Sequence, residues 1–352
     1  MLTKAKHLFE EYERRISIAS LMGGFVVDSL TLQNIDNLWD NLWIGSNIIV
    51  AGLCILILSR KKNAIEGFWL PNILQFSIGA LLGSTFVFYL RSTTLSATWP
   101  FLALLLFAIL ANEFFLKRFE KLALRLSFFY FSLFSFLIFF VPILVNHLGT
   151  WAFLLSGVIS LGLIYLFIHL LSRMANEKFL EEKTHIWYFV AVIFISINAL
   201  YFARLIPPIP LALKDGGIYH TVAKGFSGNY LVQDEVRGWE RFFTFRTKVH
   251  IGVGEPLYAY TAIYSPGSLN TDIVHEWQYK DKGGKWVTAT KIPLRLEGGR
   301  SGGFRTFSSR PELSIGPWRV EIKTPSGHII GRLNFEVVRR NYEVSMVTEI
   351  KK

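Results

Sequence analysis

The chain has 352 residues, 51% of them apolar and only 18% charged, with 37 Lys and Arg against 26 Asp and Glu. Soluble domains carry about a quarter charged residues, so a wholly soluble chain is excluded, and the net charge of +11 is explained by basic loops beside a membrane without invoking nucleic acid. A single cysteine, Cys54, excludes an intrachain disulfide.

In chain order, seven apolar stretches come first: Ile16–Leu32, Leu42–Ser59, Phe68–Leu90, Leu95–Leu116, Leu124–Val145, Trp151–Leu171 and Ile186–Leu205. Each approaches the roughly 20 residues that a helix needs to cross about 30 Å of hydrocarbon. The first is the shortest and carries Asp28. Glu10, Glu11 and Glu13 before it, with no small-residue cleavage site, argue against a signal peptide.

Lys and Arg fall in every second break. Lys4, Lys6, Arg14 and Arg15 come first, then Arg60, Lys61 and Lys62. Lys117, Arg118, Lys121 and Arg125 follow, then Arg173, Lys178 and Lys183. The intervening breaks hold only Arg91. By the positive-inside rule the basic side is cytoplasmic. The expectation is a multi-pass protein of the bacterial inner membrane. Its N-terminus is cytoplasmic and its C-terminal region periplasmic or extracellular.

Within the spans, Gly79 and Gly83 form a small-xxx-small pair that suits close helix packing, inside the bundle or between copies. Asp28 is the one acid well inside a span, and Arg91 and Arg204 at outer span ends are candidate partners. Such a carboxylate either closes a structural ion pair or lies on an ion or proton path. Asn72, Gln75, His169 and Asn198 are scattered.

Ile206–Pro210 reads Ile-Pro-Pro-Ile-Pro, a stiff extended exit from the membrane. The predicted organisation is a multi-span domain over 1–206, a Pro-containing linker over 207–216, a β-sandwich over 217–340 and a tail over 341–352. Leu257–Tyr264 alternates as a strand. Ile273, His275, Trp277 and Tyr279 share one strand face. Trp318, Val320 and Ile322 oppose Arg319, Glu321 and Lys323, with the polar set facing out. Leu333, Phe335 and Val337 repeat the pattern, and turns are marked at Asp281–Lys285, Gly298–Gly303 and Pro325–Gly327. The predicted fold class is an α-helical membrane bundle of about seven helices followed by an all-β, immunoglobulin-like antiparallel sandwich.

Three runs carry a family resemblance. Ile273–Val338 reads IVHEWQYKDKGGKWV, then GGRSGGFRTFS, then GPWRVEIKTPSGHIIGRLNFEVV; the others are GFVVDSLTL at Gly24–Leu32 and IPPIPLALKDGGIYH at Ile206–His220. The sequence resembles an uncharacterised bacterial family, the domain of unknown function DUF2914. That resemblance implies a multi-span protein with a C-terminal β domain, and it carries no functional residues.

No catalytic constellation stands out, so the reading leans away from an enzyme, and no cofactor is expected. His220, His250 and His328 lie far apart and lack metal-ligand spacing; His275 is expected to be a satisfied, inward or half-buried histidine. The GGRSGG run lacks the Lys-Ser/Thr of a phosphate loop. Arg295, Arg300, Arg305 and Arg310 recur around it, as an anion-binding edge or a solvated basic surface. The expected partners are the lipid bilayer and an envelope protein, an anionic polymer or a lipid headgroup. Nucleic acid is not expected, and the oligomeric state is open. The functional expectation is a binding or scaffold protein. The alternative is a membrane-embedded transporter or enzyme component that uses Asp28, with the β domain as a lid.

Overall fold

The computed structural model describes residues 38–59, 66–91, 95–114, 121–174, 176–207, 211–225, 229–236, 247–265, 271–296, 303–341 and 344–351. These fall into two compact units, one helical and one β, which divide between Ile206 and Pro207.

The helical unit holds six described helices: α1 (Leu38–Ser59), α2 (Glu66–Arg91), α3 (Leu95–Phe114), α4 (Leu122–Leu144), α5 (Thr150–Met174) and α6 (Asn176–Phe202). The stretch Ile16–Leu32, expected as a first span, lies outside the described residues. Helix α4 is the hub. It touches α1, α2, α5 and α6, and most of its apolar residues are buried. Aromatic rings knit the bundle, with Phe134 stacked on Phe194 at 5.7 Å and Tyr89 edge-on to Phe101 at 4.7 Å.

The outward faces are apolar too. Ile49, Phe76, Phe107, Val158, Leu166 and Ile195 are all exposed. A helix that is hydrophobic all round belongs in a large core or in lipid. Five of the six are long and apolar enough to cross a membrane, and α3 contributes a shorter apolar run, Trp99–Asn112.

Helix α6 starts at Asn176, ten residues before the stretch Ile186–Leu205. The break containing Lys178 and Lys183 is therefore largely helical. Glu182 of that added segment accepts a 2.7 Å bond from the Ala123 amide. It satisfies one of the orphan donors at the start of α4.

The β unit has eleven described strands: β1 (Ala212–Tyr219), β2 (Thr221–Lys224), β3 (Tyr230–Glu235), β4 (Thr247–Ile251), β5 (Leu257–Tyr264), β6 (Thr271–Lys280), β7 (Trp286–Leu296), β8 (Phe304–Arg310), β9 (Gly316–Lys323), β10 (Ile329–Arg339) and β11 (Met346–Lys351). They form three sheets, ordered β1-β5-β8, β4-β10-β9-β6-β7 and β11-β3-β2. All pairings are antiparallel except β4 with β10.

Two predicted boundaries are corrected here. The stretch 207–216, expected as linker, contains the first half of β1, and the stretch 341–352, expected as tail, contains β11. Lys214-Asp215-Gly216-Gly217 reads as a turn in isolation. In the fold it is an edge strand with a register shift between Leu213 and Asp215.

The expected two-layer sandwich is also extended. Trp277, Trp318, Val320, Phe335 and Val337 of the five-stranded sheet pack against Ile218, Leu257 and Ala259 of the first sheet. On that first sheet's other face, Tyr219, Tyr260 and Ala262 pack against Val222, Tyr230 and Val232 of the third sheet. The β1-β5-β8 sheet is thus a middle layer. Strand β5 is buried along almost its whole length because both of its alternating sets are apolar or aromatic. Two glycines permit close approaches here, Gly303 beside β5 within the middle sheet and Gly331 between sheets. Gly303 adopts φ +87°, and a Cβ there would meet the Ala262 backbone at 3.2 Å; a Cβ on Gly331 would collide with the Leu213 side chain.

Candidate functional site

The five-stranded sheet has one face in the apolar core. On the other, the pleat lines up cross-strand rows of polar side chains. One row runs Arg332, Glu321, Glu276, Lys291 across β10, β9, β6 and β7, and the next sets Asn334, Arg319 and Gln278 side by side.

Glu321 and Glu276 therefore stand directly opposite each other, a like-charge arrangement that is unfavourable unless compensated. Lys323 compensates it. Its Nζ reaches Glu276 Oε2 at 2.6 Å and Glu321 Oε2 at 2.7 Å. Arg332 donates to Glu321 Oε1 through Nε at 2.9 Å and Nη2 at 2.5 Å. Arg319 Nε donates to Gln278 Oε1 at 2.6 Å, Gln278 donates to Glu276 at 3.0 Å, and Thr288 donates to the same carboxylate. The Arg319 guanidinium lies 4.3 Å from the Trp286 ring centroid.

Both carboxylates are nearly covered, with side chains 8% and 4% exposed, while the three cations are 15–18% exposed. Burial works to raise the Glu276 carboxyl, but its Lys323, Thr288 and Gln278 bonds outweigh that and hold it down at about 2. For Glu321 the same opposition, burial against the surrounding cations, also resolves downward. The face is thus a preorganised, fully ionised patch whose cations are its most accessible members. Lys280 and Lys291 are exposed beside it.

A second cluster joins sheets. Glu235 on β3 takes His220 Nε2 at 3.0 Å on one oxygen and His250 Nδ1 at 2.8 Å on the other, plus the His250 backbone amide at 2.6 Å. Burial works to raise this carboxyl, and the two histidines overcome it to hold the group at about 2. His220 and His250, distant in sequence, are brought together through Glu235. Because a carboxylate only accepts, each ring presents an N–H at the bonding nitrogen. Among the described residues no group of three or more His, Cys, Asp or Glu could hold a metal ion.

A third cluster is sealed between layers. His275 bonds Thr261 Oγ1 at 3.1 Å and Ser308 Oγ at 2.9 Å, and Trp277 Nε1 donates to the same Ser308 oxygen at 3.0 Å. The pairing has the outline of a nucleophile and base, but Ser308 is 4% exposed and His275 is fully buried. Burial alone pushes His275 down to about 4, so it is neutral. This is the satisfied inward histidine expected from the strand pattern.

The three described arginines of the predicted anion-binding set, Arg295, Arg305 and Arg310, do not converge. Arg295 lies on the edge strand β7, opposite Asp272. Arg305 and Arg310 leave opposite faces of β8. Arg305 is on the face of Phe307, toward the third sheet, while Arg310 packs its guanidinium 5.5 Å from the Trp318 ring and bonds Thr290. Five residues separate them, and an odd spacing on a strand puts side chains on opposite faces. Arg300 lies outside the described residues.

Asp28 is also outside them, and Arg91 is the last residue of α2. Arg204 is exposed in a left-handed turn at φ 62°, just past α6. A Cβ on Gly79 would lie 3.4 Å from the side-chain amide of Asn112 on α3, where Asn112 and Gln75 each donate to the other's backbone carbonyl. Gly83 is half-buried one turn on.

Sequence reasoning placed Arg319, Glu321 and Lys323 on the outward face and treated them as solvated. It missed Glu276 and Glu235, because cross-strand register is invisible in one strand. The only local signal was an acid beside the apolar run of β6.

Two sheets packed across an apolar core, with a third behind, make the C-terminal unit an antiparallel β-sandwich class of domain with helices preceding it in the chain. Residues 270–337, from just before β6 into β10, match the family described as a protein of unknown function, DUF2914, the family the sequence resembles. Among curated proteins no relative matches. The chain is similar to an immunoglobulin-like protein from Pseudomonas aeruginosa at 13% identity, over 37% of this chain and 98% of that one, with a TM-score of 0.22. It is also similar to a β-glucosidase from Listeria innocua at 13% identity, over 31% of this chain and 16% of that one, with a TM-score of 0.19. An alkylpurine DNA glycosylase from Pseudomonas fluorescens aligns at 11% identity, over 87% of this chain and 99% of that one, with a TM-score of 0.22. At such TM-scores none of these likenesses bears on what this chain does.

Proposed function

We propose that this chain is a binding protein of the bacterial inner membrane. Its helices anchor it, its N-terminus is cytoplasmic, and its β unit presents the ion-laddered face of the five-stranded sheet to an acidic envelope partner outside. The supporting observation is the lock on Arg319, Lys323 and Arg332. Surface ion pairs contribute little to stability, and near-buried ones are costly to desolvate. Cations held in one geometry lose little entropy on meeting a partner. Arg319 on Trp286 adds the residue types enriched at interface centres.

The helices support anchoring over transport. Ser59, Ser127, Ser132, Ser156 and Ser160 donate to carbonyls of their own helices, as do Asn47 and Asn198. Side chains satisfied within their own helix are not offered to a substrate path.

The experiment is site-specific photocrosslinking in cells. A photoreactive residue at Lys291 beside the ionic face should capture a discrete partner, and one at Thr221 on the third sheet should not. Lys280→Glu with Lys291→Glu should abolish the adduct formed from a neighbouring Thr288 probe without shifting the melt. Equal capture from both faces, or capture that ignores the reversal, would overturn the surface assignment. Reporter fusions after Lys62 and Lys183 should read as cytoplasmic and one after Lys352 as external; a cytoplasmic reading at Lys352 would overturn the orientation.

A further inference from the structure

An antiparallel sheet ends in two strands whose outer N–H and C=O groups are unpaired, and folded proteins usually blunt such edges with prolines, bulges, charges or brevity. Three edge strands of the β unit show these devices. Strand β7 has Pro293, Lys291, Arg295 and a bulge opposite Trp277/Gln278. Strand β1 has a register shift at Leu213/Asp215, and β2 is four residues long.

Strand β11 has neither proline nor bulge, and its two charges, Glu349 and Lys351, pair with each other at 3.4 Å. It pairs with β3 over six consecutive residues without a shift, and among the described residues it pairs with no other strand. Its one lysine, Lys351, is drawn back to Asp215 at 3.2 Å and lies over the Tyr219 ring. Burial works to lower that ammonium, and Tyr219 and Asp215 outweigh it, so it stays a cation fixed to the domain and not a charge guarding the edge. Val347 is 40% exposed and Ile350 is 58% exposed.

We propose that β11 is a homodimer interface, in which the outer edges of two copies pair antiparallel across a two-fold axis at Thr348 and join two three-stranded sheets into one of six strands. The self-complementarity of the strand sets both the occupant and the register. A two-fold axis perpendicular to a sheet keeps each side chain on its own face. Only registers centred on a residue are then allowed. Centring on Glu349 would oppose Glu349 to its own copy, a like-charge pair. Centring on Thr348 opposes Thr348 to Thr348, and Met346 to Ile350 twice. It sets Glu349 against Val347 and leaves no like charges facing.

The outer face gains from this register. Ile350 already sits opposite Leu231 on β3, which is 42% exposed and itself opposite Ala223 on β2. The partner's Met346 continues that row, so an apolar strip begun in one copy is completed by the other. Thr–Thr pairs and apolar cross-strand pairs are favourable neighbours in antiparallel ladders.

The test is single-cysteine linkage in the full chain, in membranes, with the parent as the control for Cys54. On the axis, Thr348→Cys places two Cα atoms about 4.5–5.5 Å apart, within the roughly 4.4–6.8 Å that a disulfide needs. It should give an oxidant-induced covalent dimer on a non-reducing gel. Ile350→Cys should not link to itself, because its copy stands four residues along the strand. Met346→Cys combined with Ile350→Cys should link. A Thr348→Cys chain whose new thiol reacts with a maleimide but never dimerises would overturn the proposal. Linkage equally strong from Ile350→Cys or from Lys224→Cys would overturn it too. A Thr348→Cys thiol that neither links nor reacts would mean that the edge is covered by something other than a second copy, and this outcome also overturns it.

Discussion

The helical unit and the β unit differ in how they satisfy many of their polar groups. In the helices, several buried serines turn back about one turn to a carbonyl of the same helix, as Ser156 does to Ala152 at 2.8 Å, while Asn112 and Gln75 bond across helices. In the β unit the polar groups reach across strands and sheets, as Glu235 reaches His220 and His250, and Lys323 reaches Glu276 and Glu321. A helix closes its own hydrogen bonds and so can sit in a medium without donors. A strand cannot, so its polar chemistry is tertiary from the start.

The largest effect that would sharpen this contrast is in the sandwich core. Trp277 is fully buried, edge-on to Phe335 at 6.1 Å. Trp277→Ala should cost the β unit about 3–5 kcal/mol. Pulse proteolysis of the full chain in urea should show the β strands cleaved early and the helices cleaved at the parent's urea concentration. A uniform shift of both would mean that the two units melt as one.

Acid should act on the β unit next. His275 titrates near 4 in the fold against an ordinary 6.5. Between those values the unfolded chain holds a proton that the folded chain refuses, so stability falls as pH drops through that window, by about 3 kcal/mol. The carboxyls of Glu235 and Glu276, held at about 2, contribute stability that is present above their ordinary 4.5 and is lost only as pH falls further toward 2. Melts of the parent and of His275→Gln at pH 7, pH 4.5 and pH 2.5 would separate the two windows. The variant should lose the first decline and keep the second, and an unchanged first decline would disprove the His275 assignment.

A smaller effect is expected on the ionic face. Lys323→Met removes the bridge between two carboxylates that face each other. The cost should be about 1–3 kcal/mol, since the site is not fully sealed. Adding Glu276→Gln should recover part of that loss by ending the repulsion, so the pair of changes should be less than additive in a double-mutant cycle. Strict additivity would show that the ladder is only surface charge.

The smallest effect tests the contrast directly. Ser308→Ala leaves His275 and Trp277 Nε1 short of a partner and should cost about 1–3 kcal/mol. Ser156→Ala in α5 strands nothing, because its carbonyl acceptor still has its helical donor, and should change the denaturation of the helices by less than about 0.5 kcal/mol. Equal losses would erase the distinction drawn between the two units.

The alternation of Ile273, His275, Trp277 and Tyr279 was legible because inward residues recur every second position on a strand, and all four lie on the core side. Helix α4 was legible because Leu122–Leu144 is apolar with few interruptions. Strand β1 was not, since Asp215-Gly216-Gly217 carries turn residues, and only pairing with Ala262 to Tyr260 of β5 makes them a strand. The arginines around GGRSGG looked like a cluster because they are close in sequence. Strand pleating sends Arg305 and Arg310 to different faces, so nearness along the chain did not become nearness in space.

The sequence by itself determined what depends on local periodicity and on composition: the run of apolar helices, the change to strands after the Ile206–Pro210 run, the inward face of β6 and the satisfied state of His275. Only the tertiary structure decided what depends on register. It placed Glu276 against Glu321 with Lys323 between them, drew His220 and His250 to one carboxylate, stacked a third sheet behind β5 and, among the described residues, left β11 paired on one side only. Periodicity is a property of one segment folding on its own geometry. Register is a property of two segments that meet only after the intervening chain has closed.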